Sequence, residues 1–390
     1  MPADPAYLVV TELFLPTKGG TAVWFDEVYR RLGGRGIHVV TADVDGAAEH
    51  DRSNPNVIHR LRLRRHWWLR PESLGMYAKL FVGTLSAGLR QRFDAVHAGR
   101  VLPEGLVAWG VARLIRKPLL IYCHGEEVTT WRTPLKRRVM TWTYRHADLV
   151  IANSEFTRHE LVKLGVDAGR IALLSPGVDI ARFRPALPCD DLRASIGCSS
   201  ATTLILSVGR LSRRKGFDQV IRALPRLVAT GLDVTYAVIG IGEDAEYLRA
   251  LCREYGVADR VHFLGHVAPE DLPRWYNAAD VFTMPNREID GDTEGFGMVF
   301  IEAAACATPA IAGLAGGTGA AVIDGVTGLR VDGTSTEAVA SALQRVLAEP
   351  GLARQLGENG HRRVLAEFSW ERVAERTYEL GSRLRPSNRK

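Results

Sequence analysis

Two glutamates, Glu294 and Glu302, lie eight residues apart in a glycine-containing stretch with the chemistry to bind a sugar nucleotide. Gly295, Phe296 and Gly297 directly follow Glu294, and an apolar run that predicts a strand precedes the stretch. Unpaired N–H groups and aligned peptide dipoles favour an anion at a helix start. Along one helix axis the two carboxylates would lie up to ~12 Å apart. A hexose would then meet Glu294, a diphosphate the helix start and a ribose Glu302; the alternative is an ordinary helix with a charged first turn.

A basic turn is predicted between a buried strand and a helix, at residues 209–216, Gly-Arg-Leu-Ser-Arg-Arg-Lys-Gly. Four charges in a loop usually form a solvated surface. The position of this loop, at a strand's carboxyl end and before a helix start, favours a binding role instead. Arg210 and Lys215 would clamp a diphosphate and stabilise it as it leaves, which is work that a metal ion does in other enzymes.

His124 directly follows the predicted strand at 119–122 and precedes Gly125. A lone histidine is most often structural, but a strand end beside a glycine is also where α/β proteins place ligand-binding residues. Two D-x-D triplets, at 43–45 and 290–292, are common by chance in acidic loops, and we expect no metal site. Glu294 and Glu302 as a hydrolase pair is the weaker interpretation, because glycosidase carboxylates are only ~5–9.5 Å apart.

Gly240, Gly242 and Ala245 match the dinucleotide fingerprint G-x-G-x-x-A after a predicted strand at 234–239. This match is the strongest argument for an NAD(P) oxidoreductase. The fingerprint needs an acidic residue at the end of the next strand, which here ends in Gly-His-Val. We therefore interpret the glycines as a turn beside a nucleotide.

The composition is that of a globular protein with two domains. The chain has 390 residues, 24% of them charged and 46% hydrophobic. Its five cysteines are odd in number and lack C-x₂-C spacing, and no signal peptide is visible, so a reducing cytoplasm is predicted. Residues 1–184 carry 27 Lys+Arg against 18 Asp+Glu, and residues 185–390 carry 23 against 26. That asymmetry predicts an anionic partner or surface for the first half.

Predicted strands and helices alternate twice along the chain. The first series begins with a strand at 7–10, Gly19-Gly20-Thr21 opening a helix, and a strand at 37–40; it includes helices at 104–115 and 134–145. The second includes strands at 204–208, 234–239, 261–264 and 281–284 and helices at 217–228 and 244–255. This alternation predicts an α/β fold with two Rossmann-like, doubly wound domains joined near residue 188 and a cleft between them as the ligand site.

The combination of Gly19-Gly20, the turn 209–216 and the stretch 294–303 resembles the retaining GT-B glycosyltransferases of family GT4, over nearly the whole chain. The stretches 124–127 and 292–313 are most similar to bacterial phosphatidylinositol mannosyltransferases that use GDP-mannose. The resemblance implies an acceptor-binding domain at 1–187, a donor domain at 188–368 and a C-terminal helix within 369–390 that returns to the first domain. It also implies retaining transfer without a metal or other cofactor, from a nucleotide-sugar donor to a glycan or lipid-linked acceptor.

The resemblance further implies roles for single residues. Arg210 and Lys215 would bind the diphosphate, Glu294 the donor hexose and Glu302 the ribose. The catalytic set would be completed by His124 under the sugar. The remaining donor contacts would come from main chain or apolar groups: Gly19, Gly20, Gly209, Gly240, Val267, Gly295, Phe296 and Gly297.

One position departs from the family pattern, and several other functions compete. Ala320 stands where the family usually has a glutamate, three residues after Gly317, so either the local loop or a donor contact differs. Transfer of glucose or N-acetylglucosamine from a UDP-sugar, and an epimerase or hydrolase on the same fold, are alternatives. A catalytically dead sugar-nucleotide-binding protein is another, although Arg210, Lys215, Glu294 and Glu302 are all present.

Residues 60–82 combine basic and aromatic side chains, with five arginines and two adjacent tryptophans within 60–70 and apolar residues after them. Arginines near an anionic leaflet contribute ~1 kcal/mol each, and tryptophans favour the headgroup level. This predicts peripheral contact with the inner face of a membrane, with residues 136–138 as an addition to the same surface. The alternatives are the outer side of a strand and a nucleic-acid surface, but no nucleic-acid-binding motif accompanies the cluster.

Overall fold

The computed structural model describes residues 5–63, 74–131 and 133–384. It divides into two compact units, Met1–Pro176 with Trp370–Lys390, and Gly177–Ser369. We call them unit 1 and unit 2.

Unit 1 contains a seven-stranded parallel sheet with the strand order β3-β2-β1-β4-β5-β6-β7. The strands are β1 (Tyr7–Val10), β2 (His38–Ala42), β3 (Val57–Leu61), β4 (Ala95–Ala98), β5 (Leu119–Cys123), β6 (Leu149–Ala152) and β7 (Ile171–Leu173). The helices are α1 (Gly20–Leu32), α2 (Ala47–Ser53), α3 (Leu74–Gly88), α4 (Leu106–Leu114), α5 (Glu126–Thr130), α6 (Pro134–Arg145) and α7 (Glu155–Lys163), with α15 (Trp370–Arg383) from the chain's end.

The central strands of unit 1 are buried on both faces, as helix-covered parallel strands must be. All four residues of β1 and all five of β5 are buried. One apolar core joins these strands to α3, α4 and α6. The helix α15 packs against α1, where Arg31 Nε donates to Glu371 Oε1 at 3.0 Å. Gly381 lies so close to the Tyr7 hydroxyl that an added Cβ would be 2.3 Å from the oxygen.

Unit 2 contains a six-stranded parallel sheet with the order β10-β9-β8-β11-β12-β13. Its strands are β8 (Thr203–Val208), β9 (Val234–Ile239), β10 (Val261–Gly265), β11 (Val281–Met284), β12 (Ala310–Gly313) and β13 (Leu329–Val331). Its helices are α8 (Asp190–Ser195), α9 (Phe217–Ala229), α10 (Ala245–Glu254), α11 (Asp271–Ala278), α12 (Met298–Ala305), α13 (Thr336–Ala348) and α14 (Pro350–Glu367). Two apolar clusters line the two faces of this sheet.

Both sheets have the strand order of a doubly wound Rossmann-like domain, so the predicted fold class is confirmed for each unit. One difference from the prediction is the start of a helix in unit 1. The segment 104–115 is not one α-helix: Val101–Gly105 forms a wider helical turn, and α4 begins at Leu106.

The basic and aromatic stretch at 60–82 is described only in part, because residues 64–73 lie outside the described residues. Arg60 forms an ion pair with Asp51, with an Nη2–Oδ1 distance of 2.7 Å, whereas the Arg62 side chain is exposed. Met76 and Leu80 on α3 belong to the core rather than to a surface. Within the described part of the chain, no helix has both the length and the apolar character needed to cross a membrane.

Candidate functional site: a charged cluster at the switch point of unit 2

The strand order of unit 2 reverses between β8 and β11, and ligands of such sheets bind beyond the carboxyl ends of the strands at this point. The loop after β8 is the basic turn at 209–216, and the loop after β11 runs to the start of α12. The two loops are in main-chain contact. Arg287 N–H donates to Arg214 O at 2.8 Å, and a Cβ on Gly216 would lie 2.1 Å from Pro285 O.

Side chains from these two loops meet in one ionic cluster. Glu294 Oε2 accepts hydrogen bonds from Lys215 Nζ and from Arg214 Nη1, the latter at 3.0 Å. Arg214 Nε lies 3.0 Å from Asp292 Oδ2, so its guanidinium bridges two carboxylates. The side chains of Arg214, Lys215 and Glu294 are only 12–18% exposed. The structure therefore brings Lys215 and Glu294 together, as two of the predicted residues, and adds Arg214 to them.

The charge state of Glu294 follows from these contacts. Burial alone would raise the pKa of Glu294, but Lys215 and Arg214 outweigh it and hold that pKa below its ordinary value. Glu294 is therefore a carboxylate at neutral pH, and its oxygens can only accept hydrogen bonds.

Arg210 lies apart from the Glu294 cluster. Its side chain is 73% exposed, and its Nε donates to Glu243 Oε2 at 3.0 Å. Gly209 and Gly240 bring the loops after β8 and β9 together, because a Cβ on Gly240 would lie 1.8 Å from Gly209 O. The glycines of the G-x-G sequence thus serve a close approach of two main chains at the sheet's carboxyl edge.

Glu294 does not lie on the helix that carries Glu302. The helix α12 begins at Met298, and Gly297 before it has φ +87°, outside the right-handed helical region. Glu294 instead lies in the preceding loop, where Gly317 N–H donates to Glu294 O at 2.7 Å. The prediction that both glutamates share one helix axis was therefore wrong.

Glu302 has a partner that sequence reasoning missed. Its Oε2 accepts a hydrogen bond from the Tyr276 hydroxyl of α11 at 2.7 Å. Burial raises the pKa of Glu302, and the Tyr276 hydrogen bond opposes that rise. Val267, expected near the base, follows β10 and packs partly against the apolar cluster that includes Tyr276.

The loop after β12 shows how the structure accommodates Ala320. Arg330 Nη2 donates to Leu314 O at 3.0 Å, and Arg363 Nη2 donates to Ala320 O at 2.9 Å. Asn286 Nδ2 donates to Ala315 O at 2.9 Å. Cationic and amide donors on main-chain carbonyls thus fix this loop without a carboxylate at position 320.

His124, at the carboxyl end of β5 in unit 1, is held at three points. Its N–H donates to Glu127 Oε1 at 3.0 Å, its carbonyl accepts from Asn153 Nδ2 at 2.7 Å, and its Nε2 lies 2.9 Å from Gly99 O. Because a carbonyl oxygen only accepts, Nε2 carries the proton and the Nδ1 of the neutral ring is an acceptor. Burial lowers the pKa of His124, which favours this neutral form.

Gly19 and Gly20 stand at the start of α1 in unit 1. Gly19 caps the helix with φ +133°, and apart from Gly19 and its two chain neighbours no described residue has an atom within 4 Å of the place that its Cβ would take. The first N–H groups of a helix lack intrahelical partners, so this open helix start suits an anion.

One aspartate of each D-x-D triplet pairs with an arginine. Asp43 Oδ2 lies 3.6 Å from Arg62 Nε, and Asp292 pairs with Arg214. Asp290 and Gly291 have φ values of +53° and +80° and form a tight turn between Ile289 and Asp292. Within residues 5–63, 74–131 and 133–384, no three His, Cys, Asp or Glu side chains are grouped to hold a metal ion.

Two Rossmann-like units, one with an ionic cluster at its switch point, are consistent with a GT-B glycosyltransferase, and comparisons with known proteins identify that class. The family model for glycosyl transferases group 1 matches residues 190–363, and the model for glycosyltransferase family 4 matches residues 18–182. A GDP-mannose-dependent alpha-(1-6)-phosphatidylinositol monomannoside mannosyltransferase of Mycolicibacterium smegmatis is 30% identical over 381 residues, covering 96% of this chain and 97% of the relative. The Mycobacterium tuberculosis protein with the same description is 32% identical over 375 residues, covering 94% and 95%.

Solved structures show the same architecture. Sucrose-phosphate synthase from Thermosynechococcus elongatus superposes with a TM-score of 0.81 at 26% identity, covering 97% of this chain and 98% of that one. HepE of Anabaena, solved with UDP and glucose, has a TM-score of 0.80 at 20% identity, covering 96% and 99%. The chain belongs to the family 4, group 1 glycosyltransferases, and the predicted resemblance is confirmed.

Proposed function

We propose that this protein is a retaining mannosyltransferase that moves mannose from GDP-mannose to a hydroxyl of a lipid-linked glycan acceptor. The observation that carries the donor and acceptor classes is the similarity, over 96% of the chain, to the GDP-mannose-dependent enzyme of Mycolicibacterium smegmatis. In the reaction the bond from the anomeric carbon to the diphosphate oxygen breaks, and its electron pair leaves on GDP. The anomeric carbon bonds to the acceptor oxygen, and the proton of that hydroxyl passes to the departing diphosphate. Unit 2 binds the donor and unit 1 the acceptor.

The charged residues of unit 2 take the diphosphate and the hexose in this proposal. Lys215 leaves Glu294 for the diphosphate, and Glu294 accepts hydrogen bonds from the hexose hydroxyls. Arg210 joins Lys215 on the diphosphate. Its pair with Glu243 is exposed, and such pairs are worth ~0–1 kcal/mol, so releasing Arg210 costs little. The two cations offset the charge that develops on the leaving group, and no metal ion is needed.

The other predicted residues complete the site. Glu302 accepts from the ribose hydroxyls, and Gly209, Gly240 and Val267 lie beside the nucleotide. Main-chain N–H groups of residues 295–297 face the hexose, with Phe296 packed in the core beneath them. His124 accepts a hydrogen bond from the sugar through Nδ1, and Gly19 and Gly20 border the phosphate.

A donor screen tests this function. Wild-type protein is heated with GDP-, UDP- and ADP-sugars, and only GDP-mannose and GDP are expected to stabilise it, by ~2.7 kcal/mol at ~100 times Kd. Release of GDP should then depend on a phosphatidylinositol mannoside acceptor and should be unchanged by EDTA. Stabilisation by a UDP-sugar would assign another donor, GDP release that ignores the acceptor would assign hydrolysis, and a strict requirement for Mn²⁺ would overturn the metal-free mechanism.

A substitution of Lys215 tests the proposed diphosphate contact most directly. Lys215→Ala should lower kcat/KM for the donor by ~10²-fold or more, since a charged contact to the leaving group is lost. Arg226→Ala is the matched control, because this arginine of α9 pairs with the exposed Glu337 on the surface of unit 2. Equal kinetics for the two variants would refute the diphosphate role.

We also propose that unit 1 contacts an anionic membrane surface, where it meets its acceptor. The support comes from exposed apolar and basic side chains on two helices. Val82 of α3 is 65% exposed and Leu135 of α6 is 73% exposed. Next to Leu135 lie the exposed basic residues 136–138, and Lys136 Nζ is 3.6 Å from the centre of the Trp131 ring. Apolar side chains beside basic ones suit the boundary between headgroups and acyl chains.

Sedimentation with liposomes tests the membrane contact. Binding should need phosphatidylinositol or another anionic lipid and should weaken as salt is raised. Replacing Arg137 and Arg138 by serine should reduce binding, and the same change at Arg345 and Arg354, exposed arginines of unit 2, should not. Equal binding to neutral and anionic liposomes would leave these basic residues as ordinary surface.

A further inference from the structure

One oxygen of Glu294 contacts two cationic side chains, Lys215 and Arg214, and the two differ in how firmly they are held. Lys215 Nζ contacts Glu294 Oε2, and Arg214 Nη1 lies 3.0 Å from the same atom. Arg214 also contacts Asp292 Oδ2 at 3.0 Å through Nε, so its planar guanidinium spans two acids. A lysine ammonium is a compact charge on a flexible stem, whereas an arginine fork in this position is fixed by both of its partners.

The main chain of Arg214 is fixed as well. Its carbonyl accepts from Arg287 N–H at 2.8 Å, and Arg287 forms a double hydrogen bond with the buried Asp218, at 3.0 and 2.8 Å. Gly216, two residues further on, fits against Pro285 O only because it lacks a Cβ. The turn that carries Arg214 therefore does not shift easily when a ligand arrives.

The proposed function requires Lys215 to change partner. The donor's diphosphate needs the charge of Lys215, and in the structure this ammonium pairs with Glu294. If Glu294 had no other cation, the move of Lys215 would leave a poorly exposed carboxylate without a counter-charge, which is costly. Arg214 removes that cost, because it stays between Glu294 and Asp292 while Lys215 moves.

We propose that Arg214 is a positioning residue that keeps Glu294 charge-balanced and oriented toward the hexose while Lys215 transfers to the diphosphate. This inference rests on the proposed function. It assigns a role to a residue that the family resemblance left unassigned, and it divides the work of the basic turn between a movable and a fixed cation.

A double-mutant cycle between Arg214 and Glu294 tests this role in the full-length enzyme. Arg214→Leu should lower kcat/KM for the donor by ~10–150-fold, the range expected for a hydrogen bond to a charged group, with most of the loss in kcat. In the Glu294→Gln background the same substitution should lower kcat/KM for the donor by less than ~3-fold, because residue 294 then has no carboxylate for Arg214 to orient. Arg213→Leu in the same turn is the matched control, since Arg213 pairs with Asp244 instead.

The charged groups that face Glu294 predict a second test of this role, the pKa of Glu294 itself. They are Lys215 and Arg214 from the turn after β8, with Asp292 on its own loop, while the loop after β12 contributes main-chain atoms of Gly316 and Gly317. Carboxyl ¹³C NMR of glutamate-labelled protein, with Glu294→Gln to assign the signal, should show a raised Glu294 pKa in Arg214→Leu. The Arg214→Lys variant should restore part of the difference, and Arg213→Leu should leave the pKa as in wild type.

Two results would overturn the inference. Equal losses from Arg214→Leu in both backgrounds would mean that Arg214 contacts the donor itself, and an unchanged Glu294 pKa would mean that it does not balance that carboxylate. The NMR titration needs no ligand, so it reads the same if the donor proves not to be GDP-mannose. Failure of the proposed function would appear instead as absent wild-type turnover.

Discussion

Glu104 provides a prediction about how stability depends on pH, and the structure gives both the direction and the magnitude of that dependence. Its side chain is fully buried in the turn after β4, where Oε1 accepts Glu12 N–H at 3.0 Å and Oε2 has no hydrogen-bond partner among the described residues. Burial raises the pKa of Glu104 from 4.5 to about 7, although the Glu12 N–H and Arg100 oppose the rise. At one pKa unit per ~1.36 kcal/mol, ionising Glu104 in the folded protein costs about 3 kcal/mol more than in the unfolded chain.

The sign follows from proton binding. Between pH 4.5 and 7 the folded state holds a proton on Glu104 that the unfolded state has released, so stability falls as the pH rises through this window. Below the window both states are protonated and the full stability is present. Glu104→Gln cannot ionise, so its stability relative to wild type should increase by about 3 kcal/mol from pH 4.5 to pH 8.

Urea unfolding followed by tryptophan fluorescence measures this difference. Seven of the eight tryptophans fall within the sequence ranges of unit 1 and only Trp275 falls in unit 2, so the signal reports mainly on the unit that contains Glu104. The glutamine amide itself introduces an unpaired donor, which lowers stability by the same amount at every pH and does not change the slope. Glu155→Gln, at an exposed position of α7, is the control. Parallel stability curves for wild type and Glu104→Gln would refute the reasoning.

Three further substitutions test the site geometry. Tyr276→Phe removes a hydrogen bond to Glu302, so donor KM should rise by ~10-fold or more with little change in kcat; an unchanged KM would remove Glu302 from the donor site. Gly240→Ala should destabilise unit 2 by more than ~3 kcal/mol in urea unfolding because its Cβ would overlap a carbonyl oxygen, whereas Gly231→Ala, with the same sign of φ but open space, should cost only ~1–2 kcal/mol; equal losses would exclude the overlap as the cause. Asn153→Ala should lower kcat by ~10-fold while unfolding remains cooperative, since it releases the carbonyl of the predicted catalytic histidine; wild-type kinetics would show that this anchor is dispensable.

Local sequence signals predict the elements whose boundaries are set locally. The helix α6 runs from Pro134 to Arg145 as predicted, because a proline at its first position and an amphipathic pattern define it without help from the rest of the chain. The strand at 57–61 is missing from the predicted elements, since it lies at a sheet edge with all five residues only partly buried and shows no apolar run. The helix predicted from Glu104 is present but begins two residues later, at Leu106, because it follows the wider turn Val101–Gly105, in which Leu102 has non-helical φ and ψ of −138° and 134°.

Among the site residues, too, local sequence signals predict some features, while others depend on contacts that form only in the folded chain. Motifs predict Lys215 and Glu294, but the partner of each, and the role of Arg214, depend on which of three consecutive basic side chains turns toward the loop after β11. Sequence does not distinguish Arg213 from Arg214 as the bridging arginine, because the two adjacent side chains are identical until the turn is built. A pair of acids two residues apart, Asp292 and Glu294, is the available signal for a bridging arginine, and a pair of acids predicts a metal ligand set equally well.

In unit 2 the main-chain loops at the sheet's carboxyl edge are closely packed, and in the proposed function the charged side chains on them exchange partners. Neighbouring loops approach to within the space of a missing Cβ at Gly216 and Gly240, so neither loop can move without breaking contact with the next. Two cationic side chains at this edge form ion pairs that a substrate could replace. Lys215 pairs with Glu294, and Arg210 pairs with the exposed Glu243. Such an arrangement lets an anionic donor bind through side-chain exchange alone, which limits the ordering cost of binding to a few rotamers. If Glu294 meets the hexose as proposed, it must keep a cation of its own when Lys215 moves, and Arg214, which contacts both Glu294 and Asp292, is placed to provide it.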